Sequence, residues 1–288
     1  MINTFLWILG ILAFLLLAAG LGGSFYLTQR FGRKQVHSPA EYGLDFEEPV
    51  FPAADGLLLQ GTWVPRPGSD RAVVILHGHS CSADWDIHRI PALHAAGFNV
   101  FLFDFRAHAR SQGRVASFGY LERRDVLGAV RFLKEKGMRR IGLLGFSYGG
   151  IASMLSAPIC PEIDAIMSDG GPARQRNAVL GRLQELGLPV GLARPLAWWV
   201  LVCTGLRLGV NYFRYEPIRW VGKIAPRPVY FVHGELDRYL PDFDELYTAA
   251  GEPKECWRLA GVGHTGATEV EPLELQRRIL DFFTRTLA

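Results

Sequence analysis

No charged side chain occurs among residues 1–29, which excludes a water-facing helix there, since a solvated helix needs a polar stripe. Cysteines are few and far apart: Cys81, Cys160, Cys203 and Cys256 show no C-x-x-C spacing. Neither a zinc site nor a disulfide framework is signalled, and the four read as buried small hydrophobes or free thiols. No Lys/Arg stripe is present either; the net charge is +3 and the basic residues are scattered. That argues against a nucleic-acid partner. No repeat or low-complexity tract is visible. No G-x-G-x-x-G follows the first strand of the parallel set, which argues against a dinucleotide-binding dehydrogenase.

What is present is enough chain for one large α/β domain or two small ones, 288 residues with 49% apolar side chains. A single domain of about 250 residues buries a substantial core without disulfides. Part of the apolar excess sits in residues 5–21, extended by Phe25, Tyr26 and Leu27. A helix rising about 1.5 Å per residue needs roughly 20 residues to cross the hydrocarbon of a bilayer. This segment is long enough, with Trp7 and Tyr26 as interfacial aromatics. Residues 1–29 are therefore read as a membrane anchor. The rival is a cleaved signal peptide with Ala18, Ala19 and Gly20 at the cleavage site, although the basic n-region of such peptides is missing. Arg30, Arg33 and Lys34 follow the apolar block, so the positive-inside rule places the remainder on the cytoplasmic side of a single-pass protein. After cleavage it would be secreted or extracytoplasmic instead.

Residues 30–43 read as a polar linker and 44–288 as the main folded domain. Residues 45–51 and 57–64 look like an opening antiparallel hairpin around the turn Ala54-Asp55-Gly56. Short apolar runs at 72–76, 100–103, 141–144, 163–167 and 229–232 then alternate with helical segments around Ala92 and at 121–136, 147–155, 243–250 and 273–287. Runs that are apolar throughout suit strands buried on both faces of a parallel sheet. The expected fold is an α/β sandwich. Residues 172–226 break the alternation with helical, partly very apolar sequence, and read as a helical cap over the sheet's C-terminal edge. Such a cap lines a pocket, touches a membrane surface, or simply packs on the core.

Gly145-Phe146-Ser147-Tyr148-Gly149-Gly150 follows one strand and opens a helix. A nucleophile elbow needs this setting: the Ser occupies a strained turn, and small neighbours let strand and helix approach. A Ser hydroxyl needs a base oriented by a third group, and after a nucleophile elbow these follow in the order Asp/Glu, His. Asp237 follows the strand at 229–232, and His264 stands in the Gly-rich loop 261–266. Ser147 is thus the expected nucleophile, His264 the base and Asp237 its orienting acid. Glu235 is the rival acid and His233 the rival base. The expected oxyanion donors are the backbone N–H groups of Tyr148 and of His79, in the loop His77-Gly78-His79-Ser80. His77 reads as a brace of that loop.

Those motifs, with Asp104-Phe105-Arg106-Ala107-His108-Ala109-Arg110-Ser111 between them, fall in the order found in the serine α/β-hydrolase superfamily. From about Leu44 onward the chain resembles that superfamily, most closely its membrane-tethered esterase-like and acyl-peptidase-like branches. The resemblance implies the α/β-hydrolase fold, a mostly parallel sheet with helices on both faces, and Asp104 and Arg106 as structural braces. Relatives usually carry Gly where Ala107 and Ala109 stand. Dehalogenases and epoxide hydrolases of this fold use an Asp nucleophile, against which Ser147 argues.

The function expected is cleavage of a carboxylic ester or thioester of a small hydrophobic acyl substrate, with neither cofactor nor metal. A serine peptidase and a non-catalytic hydrolase-like binding scaffold are the alternatives. Substrate identity and oligomeric state are left open by the sequence.

Overall fold

The computed structural model describes residues 2–32 and 35–288. Arg33 and Lys34, on which the expected sidedness partly rests, lie outside the described residues. Eight strands form one sheet in the order β1-β2-β4-β3-β5-β6-β7-β8. They are β1 (Val50–Pro52), β2 (Leu58–Val64), β3 (Arg71–Leu76), β4 (Asn99–Phe103), β5 (Arg140–Phe146), β6 (Ala165–Asp169), β7 (Val229–Gly234) and β8 (Lys254–Leu259). β1 and β2 pair antiparallel, as do β2 and β4, while β3 to β8 are parallel to their neighbours.

Period-two alternation divides the core. On β3, Ala72, Val74 and Leu76 face one apolar cluster while Val73 and Ile75 face the other. The first cluster is covered by α3 (Glu122–Glu135), α4 (Tyr148–Ser156) and α7 (Phe243–Ala249). The second is covered by α2 (Ile90–Ala95) and α9 (Pro272–Thr286), whose Phe282 and Phe283 are fully buried. Helices on both faces explain why the inner strands are apolar throughout.

Two strand expectations need correction. The strand anticipated over residues 45–51 is reduced to β1, and its earlier part to a single bridge between Glu47 and Trp63. Pro49 separates the two, having no N–H to give a ladder. The second is β8, which escaped notice because its Lys-Glu-Cys-Trp-Arg-Leu is a half-exposed edge strand with no apolar run.

Between β6 and β7 the chain is helical: α5 (Gln175–Glu185), α6 (Val190–Leu208) and three short 3-10 turns. Before the sheet comes α1 (Ile2–Thr28), long and apolar enough to cross a membrane by length and composition. Large apolar side chains at residues 5–17 are all exposed, whereas Ser24, Leu27 and Thr28 are buried. α1 packs along α6. Trp199 Nε1 donates to the Leu16 carbonyl at 2.7 Å, and Arg207 Nε donates to Ser24 Oγ at 3.0 Å. A side chain at Gly20 would overlap Trp199, and one at Gly23 would overlap Val200. Small residues at that seam let the two backbones approach.

Residues 30–32, expected as linker, are docked. Arg30 donates to the carbonyls of Ala109, Ser111 and Gly113 at 2.7–2.9 Å. Phe31 exchanges backbone hydrogen bonds with Ala107 and Ala109.

Candidate active site

Ser147 joins β5 to α4 with φ 50° and ψ −105°, a conformation that costs of order 1–3 kcal/mol and must be imposed by its surroundings. The glycines around it supply the imposition. A Cβ on Gly149 would overlap the carbonyl of Leu76 on β3, and one on Gly145 would overlap the backbone of Gly149. The Ser147 N–H is held by the Asp169 carbonyl at 2.8 Å, at the end of the adjacent β6.

The structure brings the three expected groups together from three strand-end loops. His264 Nε2 lies 2.7 Å from Ser147 Oγ, and His264 Nδ1 lies 2.8 Å from Asp237 Oδ2. A carboxylate only accepts, so the imidazole carries its proton on Nδ1 and presents Nε2 as acceptor for the serine hydroxyl. Asp237 is 4% exposed, and its Oδ1 accepts the Tyr239 N–H at 2.7 Å. The Tyr239 ring stacks on the His264 imidazole with centroids 4.2 Å apart.

The two rivals sit elsewhere. Glu235 is exposed. His233 stacks on Phe243 at 4.1 Å, and its Nδ1 has no partner among the described residues.

The expected oxyanion donors come from α4 and from the loop after β3. Tyr148 is the first residue of α4, where no intrahelical acceptor exists for its N–H. The His79 loop is braced by three histidines. His77 Nδ1–H donates to the Gly78 carbonyl at 2.7 Å, and its Nε2 accepts the Phe105 N–H at 3.0 Å. His108 Nδ1–H donates to the Arg106 carbonyl at 2.9 Å, and its Nε2 accepts from Ser80 N–H at 3.3 Å. His79 Nε2–H donates to the Leu27 carbonyl of α1 at 2.9 Å. Each imidazole thus uses one nitrogen as donor and is neutral. Burial agrees with this, pushing His77 down to about 4 and His79 and His108 to about 3.

Asp104 and Arg106 act structurally as the resemblance implies. Asp104 accepts the Ala83 N–H at 2.8 Å and Arg110 Nε at 3.0 Å; Arg106 is clamped between Asp55 and Asp125. Ala107 and Ala109 have φ of 58° and 34°, so the departure from Gly falls on backbone that favours Gly.

Ser147 and His264 open onto a cavity of about 490 Å³, within the size range of small-molecule sites. Phe118, Ile151 and Tyr148 give it apolar walls, Arg182 and Glu185 of α5 reach in from the cap, and Leu27 of α1 closes one side. Among the described residues no cluster of His, Cys, Asp or Glu has the arrangement of a metal site.

Sequence reasoning missed three residues of this site. Tyr239 is an ordinary aromatic in a loop, and only the stack on His264 singles it out. Leu27 is one of many apolar residues in α1. Asp169 ends β6 at 2% exposed with Oδ2 unpartnered. Burial pushes its carboxyl up to about 7, against the pull of Arg89 and His264. Its position beside the elbow strand was the available signal.

Comparisons with known proteins agree with the fold. The chain is 27% identical to the uncharacterized protein YfhR of Escherichia coli over 282 residues, covering 91% of this chain and 90% of that one. It is 29% identical to the uncharacterized protein YqkD of Bacillus subtilis over 215 residues, 72% of this chain and 69% of that one. Among solved structures, the Pyrococcus furiosus esterase Pf2001 superposes with a TM-score of 0.74 at 23% identity, covering 90% of this chain and 99% of that one. The esterase Est1E of Butyrivibrio proteoclasticus, solved with ferulic acid bound, superposes with a TM-score of 0.62 at 17% identity, over 83% and 99%. Residues 73–275, well over half of the sequence, match the alpha/beta hydrolase family, and the chain belongs to that family.

Proposed function

We propose that the protein is a serine hydrolase that cleaves carboxylic esters or thioesters of hydrophobic acyl groups. The observation that carries this reading is the continuous hydrogen-bond relay Ser147–His264–Asp237, with links of 2.7 and 2.8 Å, at the floor of a partly apolar cavity. In this reading Ser147 Oγ attacks the ester carbonyl while His264 Nε2 takes its proton. Asp237 orients the imidazole and stabilises the imidazolium that forms. The carbonyl oxygen becomes an oxyanion facing the N–H groups of His79 and Tyr148. Collapse expels the alcohol or thiol, which takes the proton from His264, and leaves an acyl-enzyme on Ser147. Water activated by the same imidazole then releases the acid and restores the serine. The esterases among the structural neighbours support an ester substrate.

The same reading retains α1 as a membrane anchor, with the catalytic domain on the cytoplasmic side. Arg30 and its neighbours directly after the apolar stretch support that orientation.

Labelling of detergent-solubilised protein with a fluorophosphonate probe, wild type against Ser147→Ala, tests the proposal. Labelling that disappears in the variant, with hydrolysis of p-nitrophenyl esters lost in parallel, is the expected result. Folded wild-type protein that does not label is instead a binding scaffold.

A further inference from the structure

α1 ends inside the catalytic centre. Leu27, 6% exposed, lines the cavity that holds Ser147 and His264. Its carbonyl, one of the last four of a helix and so without an intrahelical partner, accepts His79 Nε2–H. The next carbonyl, of Thr28, accepts the Ala116 N–H at 2.9 Å, two residues before the cavity-lining Phe118. The Phe31 ring then packs edge-on against His79, centroids 4.5 Å apart, and stacks on His108 at 5.2 Å. Tyr26 takes a 3.0 Å hydrogen bond from Arg182, the α5 residue that also lines the cavity. A helix needed only to hold the enzyme at a surface would not require any of these contacts.

The other end of α1 needs a different neighbour. Residues 5–17 expose apolar side chains on every side of the helix. One patch of that size is rare on a soluble surface, and a second copy of the chain would cover a single stripe only. A bilayer covers all sides. α6 lies beside α1 and points the same way: Trp199 meets Leu16, Val200 meets Gly23, and Arg207 meets Ser24. The first turns of α6, with Val190 and Leu192 exposed, therefore lie towards the exposed end of α1.

We infer that α1 is a working part of the active site. Its outer half sits in lipid beside the start of α6, its last turn forms the mouth of the acyl pocket, and Leu27 limits the acyl chain admitted. The substrate is then a long-chain ester resident in the bilayer, which reaches Ser147 along the α1–α6 pair without crossing water. This rests on the ester-hydrolase reading above.

The test uses full-length protein reconstituted with phosphatidylcholine vesicles and two substrates: soluble p-nitrophenyl butyrate, and a fluorogenic long-chain monoacyl ester dissolved in the vesicles. The triple variant Ile8→Glu, Leu12→Glu, Leu15→Glu changes only side chains exposed far from the pocket. It should lose vesicle binding and cut turnover of the vesicle-borne ester at least tenfold. Fluorophosphonate labelling and butyrate hydrolysis should stay within about twofold of wild type. Undiminished turnover of the vesicle-borne ester overturns delivery from the bilayer. Leu27→Trp, which narrows the mouth, should move the chain-length optimum to shorter acyl groups and raise KM for the long ester more than for butyrate. An unmoved optimum in labelled, folded protein overturns the role given to Leu27. Wild-type protein that neither labels nor cleaves butyrate overturns the hydrolase reading itself, an outcome distinct from either of these.

Discussion

On one side of the cavity Ser147, Asp237 and His264 stand on loops at strand ends, where backbone groups of neighbouring strands fix their positions directly. On the other side the wall is assembled from Leu27, Phe118, Arg182 and Glu185, brought together from α1, a loop and the cap by side-chain contacts. The sheet side is constrained by overlap: Gly149 touches β3 and Gly145 touches α4. At the cavity the α1 side is held by side-chain hydrogen bonds such as His79 to Leu27 and Arg182 to Tyr26, its close glycine contacts with α6 lying farther out. In the proposed mechanism, chemistry that tolerates only tenths of an ångström falls on the rigid side, and substrate selection on the adjustable one.

If that division holds, damage on the sheet side is severe and general. Asp237→Asn keeps the shape but lets the imidazole take the wrong tautomer, with an expected loss of about 10⁴-fold in kcat. Steady-state ester hydrolysis measures it, and a loss below tenfold would remove Asp237 from the relay. Next in size, Gly149→Ala sets a Cβ against the Leu76 carbonyl, which is backbone and cannot swing away. Destabilisation of about 3 kcal/mol or more is expected in urea unfolding, with fluorophosphonate labelling lost. Gly22→Ala, inside α1 where a Cβ meets nothing within 4 Å, is the paired control and should not destabilise.

Asp169 extends the comparison to pH. Its folded-state value of about 7 lies above the usual 3.8, so between these two values the native state binds a proton that the unfolded state has released. Its contribution to stability is therefore full below pH 3.8 and is lost as pH rises towards 7. Asp169→Asn removes this linkage, and the variant should gain on wild type by up to about 1.4 kcal/mol per pH unit across that window. Urea midpoints at pH 4.5, 5.5 and 6.5 measure it, and parallel curves would show that the buried carboxyl is ionised throughout.

The same division governs what could be read from the sequence. Ser147, Asp237 and His264 were visible because strand-end loops impose local rules: small residues flank the elbow, and an acid and a histidine follow in fixed order. The inner strands were visible because burial on both faces leaves no polar position. β8 was not, since an edge strand with polar side chains satisfies none of those rules. Leu27 was hidden for a related reason: in a helix that is apolar all round, no pattern distinguishes the residue facing a pocket from those facing lipid. Tyr239 was hidden because its partner, His264, is 25 residues away on another loop.

On the adjustable side effects should be smaller and selective. Tyr239 lies over the imidazole, and burial together with the Glu185 carboxylate of the cap pushes its hydroxyl pKa up, so it couples the cap to the base. Tyr239→Ala should lower kcat about tenfold by freeing the His264 ring, while Tyr239→Phe keeps the stack and recovers most of it. Equal losses in the two variants would assign the effect to the Tyr239 hydroxyl rather than to stacking.

The smallest effect concerns the block that joins the two sides. Ala107 and Ala109 accept from and donate to the Phe31 backbone, holding the chain after α1 against the histidine cluster, and both have positive φ. A Cβ in that region is strained, and glycine relieves it at the cost of a more flexible unfolded chain. At Ala107, with φ 58°, relief should win: Ala107→Gly is expected to raise stability by about 0.5–1 kcal/mol with ester hydrolysis unchanged. A loss of stability would mean that the methyl group packs well enough to outweigh the strain, since Ala107 is fully buried. The two outcomes separate backbone strain from side-chain packing as the term that sets how firmly the end of α1 is fastened to the catalytic domain.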